Sequence, residues 1–422
     1  METTNFIFIA LLFFIFGLLS KRIQNSFLTL PLLFTISGTL LGAGFADIIN
    51  LPMTNKAVRL IAELTLVVVL FTDASRLPIH RLKKHHYIPI RLLLISLPLM
   101  IILGTLAAKF FFPSLSIAEA AIIGCILAPT DPALAQTIIT FRFVPSLIRQ
   151  TINIESGLND GLVLPFLAIF ISLASIMDKA MTFTSGMYFL FMQVIGGAFI
   201  GWIVAYIGGK LLVFAYKKKW TDTTFEKIAS LAIALLSYSL ASIISANGFI
   251  AAFISGITIA YTASSICRSI QAFASTEGKM LLLLLFLLFG AVFVGPLLPL
   301  ITMPIFLYAL VSLILLRPIA TAIGLIRTKL RWESYLYIGW FGPRGIASIV
   351  FGLMVLENTH LEKNEEIFLI MTIAVFLSIL LHGLTSYKGA KWYCDKIHKR
   401  KVHEHKKVEE FPLRYQHHKV TK

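Results

Sequence analysis

Charge is scarce in this sequence. Only 14% of its 422 residues are Asp, Glu, Lys or Arg, against 57% that are hydrophobic, and the mean hydropathy is +0.85. So little polar surface cannot clothe a water-exposed domain of this length, which excludes a soluble enzyme. Acidic residues are scarcer than basic ones, 21 against 37, and the formal net charge is +16. The excess sits in short loops and in the C-terminal stretch 388–422, so it reads as a topology signal of a membrane protein rather than a nucleic-acid groove. Three cysteines, Cys125, Cys267 and Cys394, have no metal spacing and exclude a disulfide framework; they read as structural. The first apolar stretch, 6–19, has no basic segment ahead of it and is followed by Lys21-Arg22 instead of a cleavage site, which argues for a retained helix. A His-Glu-x-x-His motif and a histidine within a span near Ser156 are also missing. An intramembrane hydrolase using Asp131 and Asp160 as an acid pair, or Ser156 as nucleophile, is therefore a remote alternative, and the chain is expected not to be an enzyme.

What the sequence has instead is apolar runs of about 20 residues, the length that crosses a hydrocarbon core of roughly 30 Å. The expected fold is an all-α polytopic membrane domain at 1–387 with about thirteen transmembrane helices, at 5–20, 27–45, 57–73, 88–111, 117–140, 148–177, 184–214, 225–244, 247–263, 279–297, 301–326, 333–356 and 365–386. Alternate loops carry the basic residues, among them Lys21-Arg22, Lys217-Lys218-Lys219, Arg327, Arg331 and the tail 388–422. The positive-inside rule places those loops in the cytoplasm, the N-terminus outside and the C-terminus inside, in the plasma membrane, the inner membrane of a bacterium. The tail contains His398, His403, His405, His417 and His418 among lysines. It reads as a solvated or headgroup-facing cytoplasmic segment, with a metal or pH sensor as the alternative.

An ionisable group at mid-membrane costs at least about 2.5–3.5 kcal/mol on insertion scales and needs a partner or a purpose. Span five contains Ala128-Pro129-Thr130-Asp131-Pro132, and span six contains Glu155-Ser156-Gly157-Leu158-Asn159-Asp160-Gly161. Span eleven contains Arg317-Pro318, and span twelve Gly342-Pro343-Arg344-Gly345. At ~1.5 Å per helical residue all of these charges lie roughly 10–18 Å from the cytoplasmic ends of their spans, so they converge near the midplane. Proline and glycine around Asp131 and Arg344 predict that spans five and twelve are broken, and unwound backbone at that depth is viable only where it lines a cavity. Spans 1–6 and 8–13 would be inverted repeats, on span counting alone. On span six, Glu155 and Asn159 share one face and Ser156 and Asp160 the next. Glu155 is expected to pair with Arg317 as a structural ion pair, which leaves Asp160 to exchange ligands. A buried carboxylate holds a proton or a cation but not both, and this competition produces exchange if the loaded site alternates between faces.

Together Thr130-Asp131-Pro132, the span-six string, Arg317 and Gly342-Pro343-Arg344-Gly345 resemble the NhaP/NHE branch of the cation:proton antiporter superfamily. The resemblance implies an elevator-type sodium/proton antiporter serving pH homeostasis, usually a homodimer in membrane lipid, with no cofactor beyond the transported sodium or lithium and protons. It implies cation binding by Asp160, Ser156, Asp131 and the backbone at Thr130, core stabilisation by Glu155 and Arg317, and balancing of helix ends by Arg344. Asn159 ahead of Asp160 resembles the electroneutral branch. Some members add an acidic ligand near the end of span three, where Asp73 stands; a solvated helix end beside Arg76 is the other reading. A potassium/proton antiporter would carry the same motifs, and a channel is the remaining alternative.

Overall fold

The structure, a computed structural model, describes residues 3–24, 28–53, 55–75, 87–131, 134, 144–177, 183–263, 278–328, 330–358 and 361–401. Cys267, Arg268, Arg76, Pro132 and the tail histidines from His403 onward lie outside them. Apart from one isolated bridge between Gly42 and Ile49, the described residues are helical or loop. The helices are α1 (Thr3–Gln24), α2 (Leu30–Leu41), α3 (Lys56–Ser75), α4 (Tyr87–Phe111), α5 (Ile117–Ile126), α6 (Ser146–Met177) and α7 (Phe183–Lys217). They continue as α8 (Thr223–Ile243), α9 (Gly248–Thr262), α10 (Lys279–Leu300), α11 (Met303–Gly324), α12 (Trp332–Trp340), α13 (Ile346–Leu356) and α14 (Asn364–Lys401). Eight of them are long and apolar enough to cross a membrane, and α2, α5, α9 and α13 are shorter apolar helices. The chain is a multi-pass membrane protein.

Helix ends depart from the expected spans where local chemistry outweighs hydropathy. α2 stops at Leu41 because the chain turns at Gly42 and passes through Gly44 at φ +95°, a left-handed conformation that glycine adopts at no steric cost. α14 continues to Lys401, beyond the apolar run expected to end near 386. It does so by becoming amphipathic: Ala390, Tyr393 and Cys394 are buried with Tyr337 and Phe341, while Lys391 and Asp395 are exposed. Stacked Tyr337 and Tyr393 rings, 4.2 Å apart, close that contact.

Two sets of helices pack around different partners. α9 is surrounded by α3, α7 and α8, and α2 lies along α10. In the second set α5 packs on α4 and α6, α11 on α12 and α4, and α14 on α13 and α11. α3 touches both sets, meeting α6 along one stretch and α13 along another. In lipid no hydrophobic force drives helices together, so close approach depends on small residues. At the α2–α10 contact a Cβ on Gly38 would strike the Leu287 carbonyl, and one on Gly290 would strike that of Thr35. The Gly290→Leu variant is therefore expected to lose about 1–3 kcal/mol or more through overpacking. A lowered thermal-unfolding midpoint of the detergent-purified protein checks this, and an unchanged midpoint would show that the α2–α10 contact is not close-packed.

Candidate functional site at a helix crossing

α5 begins with a complete capping box: Ser116 Oγ accepts from the Glu119 N–H at 3.2 Å, and Glu119 Oε2 accepts from the Ser116 N–H at 2.7 Å. The helix ends after ten residues at Ile126, and the backbone is non-helical from Pro129 through Asp131. α12 likewise ends at Trp340, and residues 341–345 are non-helical before α13 starts. The two breaks lie against each other: the Asp131 N–H donates to the Pro343 carbonyl at 2.8 Å.

Each break supplies the charge that the other needs. The last carbonyls of a helix have no intrahelical donor and form the negative end of its dipole, and the first N–H groups are the reverse. Arg344, fully buried, donates from Nη1 to the carbonyls of Ala128 and Pro129 at 2.6 and 3.0 Å, beyond the end of α5. Asp131 Oδ2 accepts from the Ile346 N–H at 3.1 Å, at the start of α13. Ser348 Oγ adds a bond to the Ile126 carbonyl at 2.7 Å. Gly345 is required here, since a Cβ would overlap the Asp131 carboxylate, and a Cβ on Gly342 would overlap the Arg317 guanidinium.

Arg317 Nη2 donates to both carboxylate oxygens of Glu155, at 3.0 and 3.1 Å, with both side chains buried. A π-helical turn at Ser312–Leu316 delivers Arg317 and Pro318 to this position. Such turns relieve a ladder that a proline would otherwise break.

Thr130 bridges the Glu155–Asn159 and Ser156–Asp160 faces of α6: Ser156 Oγ and Thr130 Oγ1 are 2.9 Å apart, and Asn159 Nδ2 donates to Thr130 Oγ1 at 2.8 Å. These bonds tie the unwound strand after α5 to α6. Asp160 is buried, and its Oδ1, like Asn159 Oδ1, has no hydrogen-bond partner among the described residues. Asp73 packs over Gly157, where a Cβ would come within 3.4 Å of its own Cβ. The structure thus brings Asp160, Asp131, Thr130, Ser156, Asn159 and Asp73 together, with the Glu155–Arg317 pair and Arg344 alongside. Among the described residues no three His, Cys, Asp or Glu side chains form a resident metal site.

Sequence reasoning missed Ser378 and its contact with His382. Ser378 Oγ accepts from the Arg344 N–H at 2.7 Å, and His382 is buried. Its Nδ1 is 2.9 Å from the Ser378 carbonyl oxygen, and its ring lies 5.1 Å from that of Trp340. Their spacing of four in an otherwise apolar span was the available signal.

An interrupted helix meeting a helix end inside a polytopic membrane protein, with carboxylates gathered beside the contact, is an arrangement that secondary transporters use. Residues 7–387 match the family described as "Sodium/hydrogen exchanger, transmembrane", and the chain belongs to that family. It is 26% identical over 334 residues to the Na(+)/H(+) antiporter of Saccharomyces cerevisiae, covering 72% of this chain and 32% of that protein. To the K(+)/H(+) antiporter NhaP of Alkalimonas amylolytica it is 25% identical over 384 residues, covering 89% and 64%. The chain thus spans about a third of the yeast relative and under two thirds of the second. In fold it is similar to the sodium proton antiporter MjNhaP1 of Methanocaldococcus jannaschii, with a TM-score of 0.75 at 22% identity, covering 93% of this chain and all of that one.

Removing one partner of a buried ion pair leaves an uncompensated charge and costs about 3–5 kcal/mol. Glu155→Gln and Arg317→Leu are each expected to lower the unfolding midpoint sharply, and the double Glu155→Gln/Arg317→Leu variant to lose less than the two effects combined. Additive losses, measured by thermal unfolding of purified protein, would show that the pair is not coupled.

Proposed function

We propose that the chain exchanges sodium or lithium for protons by alternating access, with cation and proton competing for Asp160. The observation that carries this reading is a buried carboxylate oxygen without a hydrogen-bond partner among the described residues, one turn beyond Ser156 and on the helix where Asp73 packs over Gly157. Glu155 has Arg317 as its counter-charge, whereas the buried Asp160 Oδ1 has no partner among the described residues. Leaving a carboxylate so at mid-membrane is costly, and a proton or a cation relieves it.

The labour is divided among these groups. Glu155 and Arg317 neutralise each other and stiffen the core. Arg344 compensates the end of α5 and Asp131 the start of α13. Asp160, with Ser156, Asn159, Thr130 and Asp131 supplying hydroxyl, amide and carboxylate oxygens, is the exchangeable site, and Asp73 is an additional acidic ligand. Because an empty, charged site is the species hardest to move through lipid, only the protonated or cation-loaded form changes face, and this couples the two fluxes. With a single exchanging carboxylate the exchange is one cation for one proton, so a membrane potential worth ~2.3 kcal/mol per charge per 100 mV does not drive it. The working form is a homodimer in which the α4–α6 and α11–α14 set moves against the other helices as an elevator.

A second reading, potassium for protons, is favoured by the similarity to the Alkalimonas amylolytica K(+)/H(+) antiporter. Selectivity depends on cavity size and on the number and field strength of ligands.

The test is dissipation of a pH gradient in proteoliposomes with the membrane potential clamped. Sodium or lithium is expected to collapse the gradient at a rate unaffected by the potential, and potassium to do so weakly. Asp160→Asn, which can no longer exchange a proton for a cation, is expected to reduce the rate to background. Wild-type rates in that variant would refute the mechanism, and a stronger response to potassium would select the second reading.

A further inference from the structure

Arg59 stands in the first turn of α3, on the face that the loop charges assign to the outside. Its Nε donates to Glu63 Oε1 at 2.7 Å on the same helix, and its Nη1 reaches Glu357 Oε2, also at 2.7 Å. Glu357 follows the last residue of α13, the helix whose first N–H is held by Asp131 at the crossing. The second bond therefore joins α3 to the far end of the helix that is anchored in the ion site. Tyr238 of α8 lies beside this cluster. The bridge borders a half-open cavity of about 240 Å³ between α3, α7, α8 and α9 on one side and α13 on the other, lined by Gln193, Asn247, Val350 and Met354 as well as the charged groups.

We propose that Arg59 and Glu357 are positioning residues that latch the outer entrance of the transport path, and that the cavity they border is its vestibule, which widens for a hydrated alkali cation when the latch parts. The proposal rests on the alternating-access reading above. Movement of α13 with the crossing relative to α3 has to break the Arg59–Glu357 bond. Releasing Glu357 leaves Arg59 paired within its own helix, so the guanidinium never loses its counter-charge. The opened vestibule then presents Glu357 to the outside, a sign that attracts cations. Arg59 and Glu357 are both partly exposed, 52% and 35% for their side chains, which suits a bond that must break in every cycle.

The two carboxylates that Arg59 touches allow a sharp test. Glu357→Gln and Glu63→Gln change the net charge equally and remove one Arg59 partner each, but only Glu357 crosses from α3 to α13. A single cysteine introduced at the cavity wall by Met354→Cys, in a chain whose three native cysteines are alanine, is labelled with a membrane-impermeant maleimide in right-side-out vesicles. Glu357→Gln is expected to speed labelling about two- to five-fold, as loss of an exposed bridge worth up to ~1 kcal/mol allows, and Glu63→Gln to leave it at the parent rate. Equal rates in Glu357→Gln and its parent, or equal acceleration by both variants, would overturn the latch. Labelling does not depend on cation flux. If the wild-type chain shows no cation-driven proton movement while the labelling difference persists, the antiport reading fails and the latch stands; if antiport is present and labelling is unchanged, the latch alone fails.

Discussion

The structure depends on two helix ends that meet inside the membrane without water. Broken helices at that depth expose carbonyls at one end and N–H groups at the other, each costly to leave unsatisfied in lipid. Arg344 on the Ala128 and Pro129 carbonyls, with Asp131 on the Ile346 N–H, answers both at once. The compensation is reciprocal, each break supplying the side chain that caps the other. Neither break is tenable without its partner, and this makes the crossing a single unit. Gly345 and Gly342 belong to it because they leave room for the Asp131 carboxylate and the Arg317 guanidinium.

Because the crossing consumes Arg344 and one oxygen of Asp131, and because Glu155 consumes Arg317, the acidic groups of this site have unequal partners. Asp160 is the one left with a buried oxygen that no described residue satisfies. Identical chemistry in four carboxylates thus gives different roles through geometry. The hydroxyl and amide contacts among Thr130, Ser156 and Asn159 hold the unwound strand against α6, so any displacement of the crossing carries the Asp160 surroundings with it. α13 extends the same unit to Glu357 at its other end, where it meets α3.

Much of this was legible along the chain. Apolar runs identify the helices because the hydrocarbon thickness sets their length, and proline and glycine beside Asp131 and Arg344 announce the breaks because they cannot sustain the hydrogen-bond ladder. The motif string on span six singles out Glu155, Ser156, Asn159 and Asp160. Hydropathy misjudged α14, which beyond 386 buries Ala390, Tyr393 and Cys394 against Tyr337 and Phe341, since a sliding average cannot see one apolar face. It also gave no notice of Ser378, a small polar residue that matters only because the Arg344 N–H happens to face it.

By itself the sequence determined that the chain lives in lipid, where its helices are interrupted, and which few charged residues are too expensive to be incidental, because cost in a membrane is a property of residue type and depth. Only the tertiary structure decided which charge answers which: Arg317 with Glu155, Arg344 with the end of α5, Asp131 with the start of α13, Asp73 over Gly157, and Arg59 across to Glu357. Those pairings join residues separated by up to hundreds of positions, and hydrogen bonds act over about 3 Å, a distance that exists only after the helices have packed.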